Sequence, residues 1–167
     1  SESDLEPAWR ELGKHALILE GFIRFDKEVS LVAVRSVQGE TCFYPLVENI
    51  HEEGILRATI APMKASRAAS KKLQLQAEKI ATRLFQAFDY VGVMTIEFFL
   101  MKGKLYVNEV ATRVHNSGHW TIEGAETSQF ENHIRAICGL PLGSTRIRES
   151  RMEGFLSATD EKEPRTG

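Results

Sequence analysis

At 167 residues, 43% of them apolar and 26% charged, the chain has the material for one folded domain with a buried core. Its formal net charge of -2 gives no bulk attraction for nucleic acid or an anionic membrane. No apolar run approaches the roughly 20 residues of a membrane span, and the acidic opening Ser1-Glu-Ser-Asp-Leu-Glu-Pro7 lacks the form of a signal peptide.

In chain order, the first element is an apolar run, Ala16-Leu-Ile-Leu19, preceded by Trp9, Leu12 and the breaker Gly13. It reads as a short buried strand ending in Glu20-Gly-Phe-Ile23. Lys27 to Arg35 is rich in β-branched residues and reads as a strand. The Gln38-Gly39-Glu40 turn returns it to Thr41–Val47, predicting an antiparallel hairpin over 27–47, with Pro45 at an edge or a strand end. Residues 48–62 read as a polar connection. A helix is predicted from about Ser66 to Phe88, where Ala69, Leu73, Ala77, Ile80, Leu84 and Phe88 recur at helical spacing. Two apolar runs then flank a Lys102-Gly103-Lys104 turn and predict a second hairpin. Ser128 with Glu131 has the form of a capping box, opening a helix of about ten residues with Phe130, Ile134 and Ile137 on one face. Gly139 and Pro141 end it. Strands joined mainly by hairpins, with few helices, predict an α+β fold: an antiparallel sheet with helices packed on one face. Cys42 and Cys138 lack metal-type spacing and read as reduced, buried thiols of a cytoplasmic protein.

The second hairpin carries the chemistry. Glu97 and Glu109 are twelve residues apart around a tight turn, in apolar runs that should bury them. A buried carboxylate is costly unless it is paired or binds a metal. On facing strands the two can share a divalent cation such as magnesium, which favours a few carboxylates plus phosphate oxygens. Alternatively, one faces solvent and the other makes a surface ion pair. Asn108 precedes Glu109 and belongs on the opposite face unless the strand ends there. The loop Arg113-Val-His-Asn-Ser-Gly-His119 has anion-binding chemistry: a planar guanidinium, neutral donors and a glycine that admits backbone amides. Zinc between His115 and His119 is the rival, although Asn-Ser-Gly is poor helix material; two structural histidines are the other alternative. Glu20, Gly21, Phe22 and Ile23 could meet an adenine edge, and Glu28 ribose hydroxyls, while solvated glutamates and a surface His51 are the commoner case for such residues.

The run Asn108-Glu-Val-Ala-Thr-Arg-Val-His-Asn-Ser-Gly-His-Trp-Thr121 resembles the 5-(carboxyamino)imidazole ribonucleotide synthases of bacterial purine biosynthesis, members of the ATP-grasp superfamily. Glu123 to Glu131, Leu140-Pro-Leu142, Glu28-Val-Ser-Leu31, Phe43-Tyr-Pro-Leu46 and Gly92-Val-Met94 extend the likeness from about Leu17 to Leu142. The resemblance implies a ligase that converts ATP, bicarbonate and aminoimidazole ribonucleotide to ADP, phosphate and the N-carboxylated ribonucleotide, through carboxyphosphate. It implies magnesium on Glu97 and Glu109, with Asn108 beside the ATP phosphates. It places Glu20, Gly21, Phe22 and Ile23 at the adenine, Glu28 at the ribose and His51 near the nucleotide. Arg113, His115 and Asn116 would then face bicarbonate, carboxyphosphate or the second substrate. A homodimer is implied as well, with small molecules as the other partners and neither nucleic acid nor membrane.

The likeness also has departures. The family usually has Pro where Thr112 stands. The chain opens without Met, and both ends read as edges of a fragment. Residues 1–16 would be a remnant of a small ATP-grasp subdomain, 17–147 the larger subdomain and 148–167 a charged, poorly ordered tail. An N-terminal domain, phosphate-binding lysines on a glycine-rich flap and a C-terminal domain are expected elsewhere, so the isolated chain should bind nucleotide weakly or not at all. A non-catalytic interaction domain is the alternative, and a formate-using ribonucleotide transformylase a third reading that the Arg113–His119 run disfavours.

Overall fold

The computed structural model describes residues 2–148 and 155–158. Most of the tail expected over 148–167 therefore lies outside the described residues. The core is a seven-stranded, antiparallel sheet. Its strands are β1 (Lys27–Arg35), β2 (Thr41–Phe43), β3 (Val47–Glu52), β4 (Ile55–Ala61), β5 (Gly92–Met101), β6 (Lys104–Ala111) and β7 (Phe155–Ala158). The order is β6-β5-β1-β3-β4-β7, with β2 also on β1. The helices are α1 (Leu5–Leu12), α2 (Arg67–Phe88), the four-residue α3 (Thr121–Gly124) and α4 (Gln129–Ile137).

Both predicted hairpins form, with refinements. The return strand over 41–47 breaks after Phe43, because Pro45 cannot donate to a ladder. Tyr44 to Leu46 bow out, and β3 rejoins the same edge of β1, with Val47 opposite Ser30. Residues 48–62 are not a loop. They hold most of β3 and all of β4, turned at Glu53 and Gly54 with φ of 53° and 76°. Lys102 and Gly103 turn the other hairpin with φ of 49° and 72°. Positive φ at both turn residues gives the reversal that matches strand twist, which is why an X-Gly pair serves in each.

The sheet is covered on two faces, not one. Val29, Leu31, Ala33, Met94, Ile96 and Phe98 pack with Leu73, Ala77, Ala81 and Phe85 of α2. Their alternates Val32, Val34 and Val93 pack on Trp120, Ala125 and Ala136, the side that carries α3 and α4. β1 is buried continuously from Val29 to Val34, the mark of a central strand with two covered faces and so of no clean alternation. In α2 the buried stripe runs through Ala81 and Phe85, and Phe88 at the helix end is exposed. Ser66 caps it by accepting the Ala69 N–H.

The three apolar residues of α4 share a face, but that face turns outward: Phe130, Ile134 and Ile137 are exposed, whereas Gln129, Asn132 and Ala136 are buried. Hydrogen bonding explains the inversion. Asn132 donates to the Tyr44 phenol at 2.9 Å and accepts from the Gly143 N–H at 2.8 Å, and Tyr44 donates to the Thr127 carbonyl at 2.8 Å. Tyr44→Phe leaves that buried carbonyl without its donor and is expected to lose about 1–2 kcal/mol, read as an earlier midpoint in urea unfolding with an unchanged slope.

The run Ala16–Leu19 is not a buried strand. Leu17, Ile18 and Leu19 are exposed, and the stretch from 16 to 26 has neither helix nor strand. A strand needs an edge to pair with, and no ladder among the described residues includes this run. Both cysteines are free thiols as expected, but Cys42 is only half-buried and Cys138 is exposed. No helix among the described residues is long and apolar enough to cross a membrane.

Candidate functional site

The face of the sheet under α3 and α4 changes character along its length. One half is the valine cluster; the other carries Glu28 and Ser30 of β1, Asn49 and His51 of β3, Thr59 of β4, Glu97 of β5 and Glu109 of β6. Register fixes this set: Glu28 lies opposite Asn49, Ser30 opposite Glu97, Asn49 opposite Thr59 and Glu97 opposite Glu109.

The Glu97–Glu109 pairing is the one the sequence predicts, but it is reached through a β-bulge. Glu97 faces Glu109 while the next residue, Phe98, faces Val107, so Asn108 is the extra residue. Two residues of β6 thereby oppose one of β5, which brings Glu109 to the place opposite Glu97 that regular pairing from the turn would give Asn108. Glu97 is partly buried, but Glu109 is exposed, contrary to the expectation for both, because β6 is the edge of the sheet.

Burial pushes the Glu97 carboxyl above the usual carboxylate range; Glu109 and Glu28 push the same way, against His51 and Arg113. These side chains therefore feel one another across four strands and the following loop. Glu28 Oε2 also contacts His51 Nδ1 at 2.8 Å.

The loop after β6 bends over this polar end. Tyr90 donates its phenolic proton to the Thr112 carbonyl at 2.8 Å, which fixes the turn at Thr112. Arg113 and Asn116 are exposed, and Arg113 donates to the Val114 carbonyl at 3.0 Å. His115 is drawn inward. Its Nε2 lies 3.2 Å from Glu97 Oε1, and its Nδ1 accepts the Ser117 N–H at 3.3 Å. Burial holds the imidazole below its ordinary range, and Arg113 adds to that. With Nδ1 accepting the Ser117 N–H, the contact with Glu97 is a hydrogen bond donated by Nε2. Gln129 clamps the His115 backbone, accepting its N–H at 3.0 Å and donating to its carbonyl at 2.7 Å.

Of the residues singled out from sequence, Glu28, His51, Glu97, Glu109, Asn108 and His115 come together. Glu20, Gly21, Phe22 and Ile23 do not join them by hydrogen bond or ion pair among the described residues; Phe22 is 90% exposed. The approach to β1 is pinned nearby, where Phe25 stacks on Phe99 at 4.5 Å. His119 stands against Phe130, with ring centroids 5.8 Å apart. Sequence reasoning missed Gln129, Asn49 and Thr59. Ser30 carried a signal, a lone hydroxyl inside an otherwise apolar strand.

Among the described residues no three His, Cys, Asp or Glu side chains converge to hold a metal ion by themselves. The paired carboxylates still suit magnesium, which keeps several waters and takes one or two carboxylates plus phosphate oxygens. Two like charges side by side, one of them partly desolvated, are a liability that a cation relieves.

A family model described as the ATP-grasp domain matches residues 1–130. The chain is 54% identical over 157 residues to the N5-carboxyaminoimidazole ribonucleotide synthase of Pseudomonas aeruginosa, covering 93% of this chain and 42% of that protein. Among solved structures, the synthetase of that name from Thermus thermophilus superposes with a TM-score of 0.83 at 59% identity, over 89% of this chain and 40% of that one. The Aspergillus clavatus N5-carboxyaminoimidazole synthase, crystallised in complex with ADP and 5-aminoimidazole ribonucleotide, superposes with a TM-score of 0.79 at 36% identity, over 89% and 39%. The chain spans about two fifths of the length of the relatives it matches.

Proposed function

Because this chain belongs to the ATP-grasp domain family, we propose that it forms the metal-bearing wall of a nucleotide cleft in a carbon–nitrogen ligase. The reaction is the ATP-dependent carboxylation of aminoimidazole ribonucleotide by bicarbonate, in purine biosynthesis. The observation that carries this reading is the bulged β5–β6 pairing, which sets Glu97, Glu109 and Asn108 side by side.

Glu97 and Glu109 would hold magnesium, and Asn108 would stand beside the ATP phosphates. When bound, the ion offsets charge developing on transferred phosphoryl oxygens. Arg113 and Asn116 are exposed beside the carboxylates and can receive bicarbonate or carboxyphosphate. His115 reaches the same region as a neutral donor. The Glu28–His51 contact would hold Glu28 toward ribose hydroxyls, and Glu20, Gly21, Phe22 and Ile23 would take the adenine from the exposed stretch before β1. Residues 17–147 would act as the larger ATP-grasp subdomain and 1–16 as part of the smaller one. A cytoplasmic enzyme of this kind would pair as a homodimer; the outward apolar face of α4 is a surface for such burial.

The test is calorimetric titration of this chain with magnesium and a non-hydrolysable ATP analogue, alongside turnover by the natural gene product containing it. Glu109→Ala is expected to abolish the magnesium-dependent heat and the ATP- and bicarbonate-dependent consumption of aminoimidazole ribonucleotide. Unchanged turnover in that variant would overturn the reading.

A further inference from the structure

Behind His115 runs a line of buried hydrogen bonds that the proposed chemistry does not use. Thr59 Oγ1 donates to Asn49 Oδ1 at 3.4 Å, and Asn49 Nδ2 donates to Ser30 Oγ at 3.1 Å. Ser30 Oγ donates to Ser117 Oγ at 2.9 Å, and Ser117 Oγ meets His115 Nδ1 at 2.9 Å. None of these four side chains is more than 5% exposed. They come from β4, β3, β1 and the loop after β6, so the line crosses the sheet and ends at the candidate site.

The line has a direction. The Ser117 backbone N–H, which can only donate, points at Nδ1. Nδ1 is therefore the ring's acceptor, and the neutral ring carries its proton on Nε2. Ser117 Oγ accepts from Ser30, which leaves its own proton for Nδ1. The last donor in the series is Nε2–H, facing the Glu97 carboxylate at 3.2 Å. Serial donation of this kind polarises each member in the same sense.

Packing alone would not place these residues here. Buried polar groups must be paired, but apolar residues in the same places would need no partners, as Val32, Val34, Val47 and Val93 show on the neighbouring half of the face.

We propose that Ser117, Ser30 and Asn49 are positioning residues: they hold His115 in a single tautomer and orientation so that its Nε2–H steadies the Glu97 carboxylate. The value of this device to a metal-dependent reaction rests on the function proposed above; its geometry does not. Partners of this kind behind a ligand's own neighbours commonly change metal affinity by about 10–100-fold when removed.

Ring-nitrogen NMR of the histidine-labelled chain reads the tautomer directly and needs no metal. In the native chain His115 is expected to show a bare Nδ1 and a protonated Nε2. In Ser117→Ala the long backbone N–H contact at 3.3 Å is all that remains to hold Nδ1 as acceptor, so there, and to a lesser extent in Ser30→Ala, the two nitrogens should move toward averaged positions. His133, whose Nδ1 accepts the Val93 N–H at 3.1 Å away from this line, should keep its signals and so report an intact fold. Ser30→Ala removes only one oxygen and serves if Ser117→Ala does not fold. In the same samples, magnesium affinity should fall roughly tenfold in Ser30→Ala. A proton on Nδ1 or averaged tautomers in the native chain would overturn the proposal. So would His115 signals unchanged in both alanine variants. If magnesium fails to bind the native chain while the tautomer pattern holds, the metal reading of the site fails and the tautomer assignment stands.

Discussion

Gly118→Ala should unseat the loop over the site and lower stability by about 3 kcal/mol, or roughly 6–12 °C in thermal midpoint. A Cβ at Gly118 would sit 2.4 Å from Gln129 Oε1 and 2.6 Å from its Cδ. Such a clash is mild when a flexible side chain can swing aside. Gln129 cannot: it is fully buried, and its amide makes both hydrogen bonds to the His115 backbone. Moving it leaves buried donors and acceptors unpaired, in addition to the overpacking. The mechanism predicts non-additivity. With Gln129→Ala already in place the new methyl has room, so Gly118→Ala should add little to that variant's loss. Calorimetric unfolding of the two single variants and the double variant measures the coupling. A Gly118→Ala midpoint within a degree or so of the native one would show that the clamp is not rigid.

Glu97→Gln is expected to act in opposite directions on stability and on binding. The Glu97 carboxyl lies above its ordinary range in the fold, chiefly through burial. A group raised in this way favours the folded state below its unfolded pKa, and that contribution is lost as pH rises through the raised value. At neutral pH the ionised side chain therefore works against the fold. Glutamine has the same shape, no charge, and an oxygen that still accepts the His115 Nε2–H. The variant should unfold at a higher temperature than the native chain at neutral pH, and the gap should close as pH falls through the carboxylate range. Magnesium affinity should drop by at least about 100-fold, the upper end of what losing a mere supporting residue does. Thermal scans across pH, with and without magnesium, separate the two effects. A variant less stable than native at neutral pH would contradict the burial argument.

The parts of this fold that were legible in the sequence are those where one local rule suffices. The helix over 67–88 follows from its apolar stripe, and the β5–β6 hairpin from two apolar runs around Lys102-Gly103. That Glu97 and Glu109 lie on facing strands follows from that hairpin, but counting across its turn places Asn108 opposite Glu97; the exact pairing needs the bulge. The β3–β4 hairpin was hidden because its strands carry Glu48, Asn49, His51, Glu52, Arg57 and Thr59: a strand that lines a polar site loses the alternation by which strands are recognised. Ala16–Leu19 misled for the converse reason, since apolar content without a neighbouring edge does not make a strand. The outward face of α4 was illegible because Gln129 and Asn132 are buried by hydrogen bonds to Tyr44 and to the His115 backbone, partners distant in sequence. The role of Ser117 in the line from Asn49 required the register of three strands.

The bulge at Asn108 has a consequence for how β6 reads as a string of letters. Without it, counting back from the Lys102-Gly103 turn, Asn108 would stand opposite Glu97 and Glu109 opposite Ile96, a carboxylate delivered into the apolar layer on α2. The extra residue inverts the parity of everything after it: Leu105 and Val107 keep the odd phase, while Val110 takes the even one and reaches Ile96. The two halves of this strand are thus in opposite phase, and the spacing of their apolar residues changes from two to three at the site itself. A frame shift in the pattern of one strand, invisible to any rule of regular alternation, marks where the sheet stops being only a scaffold.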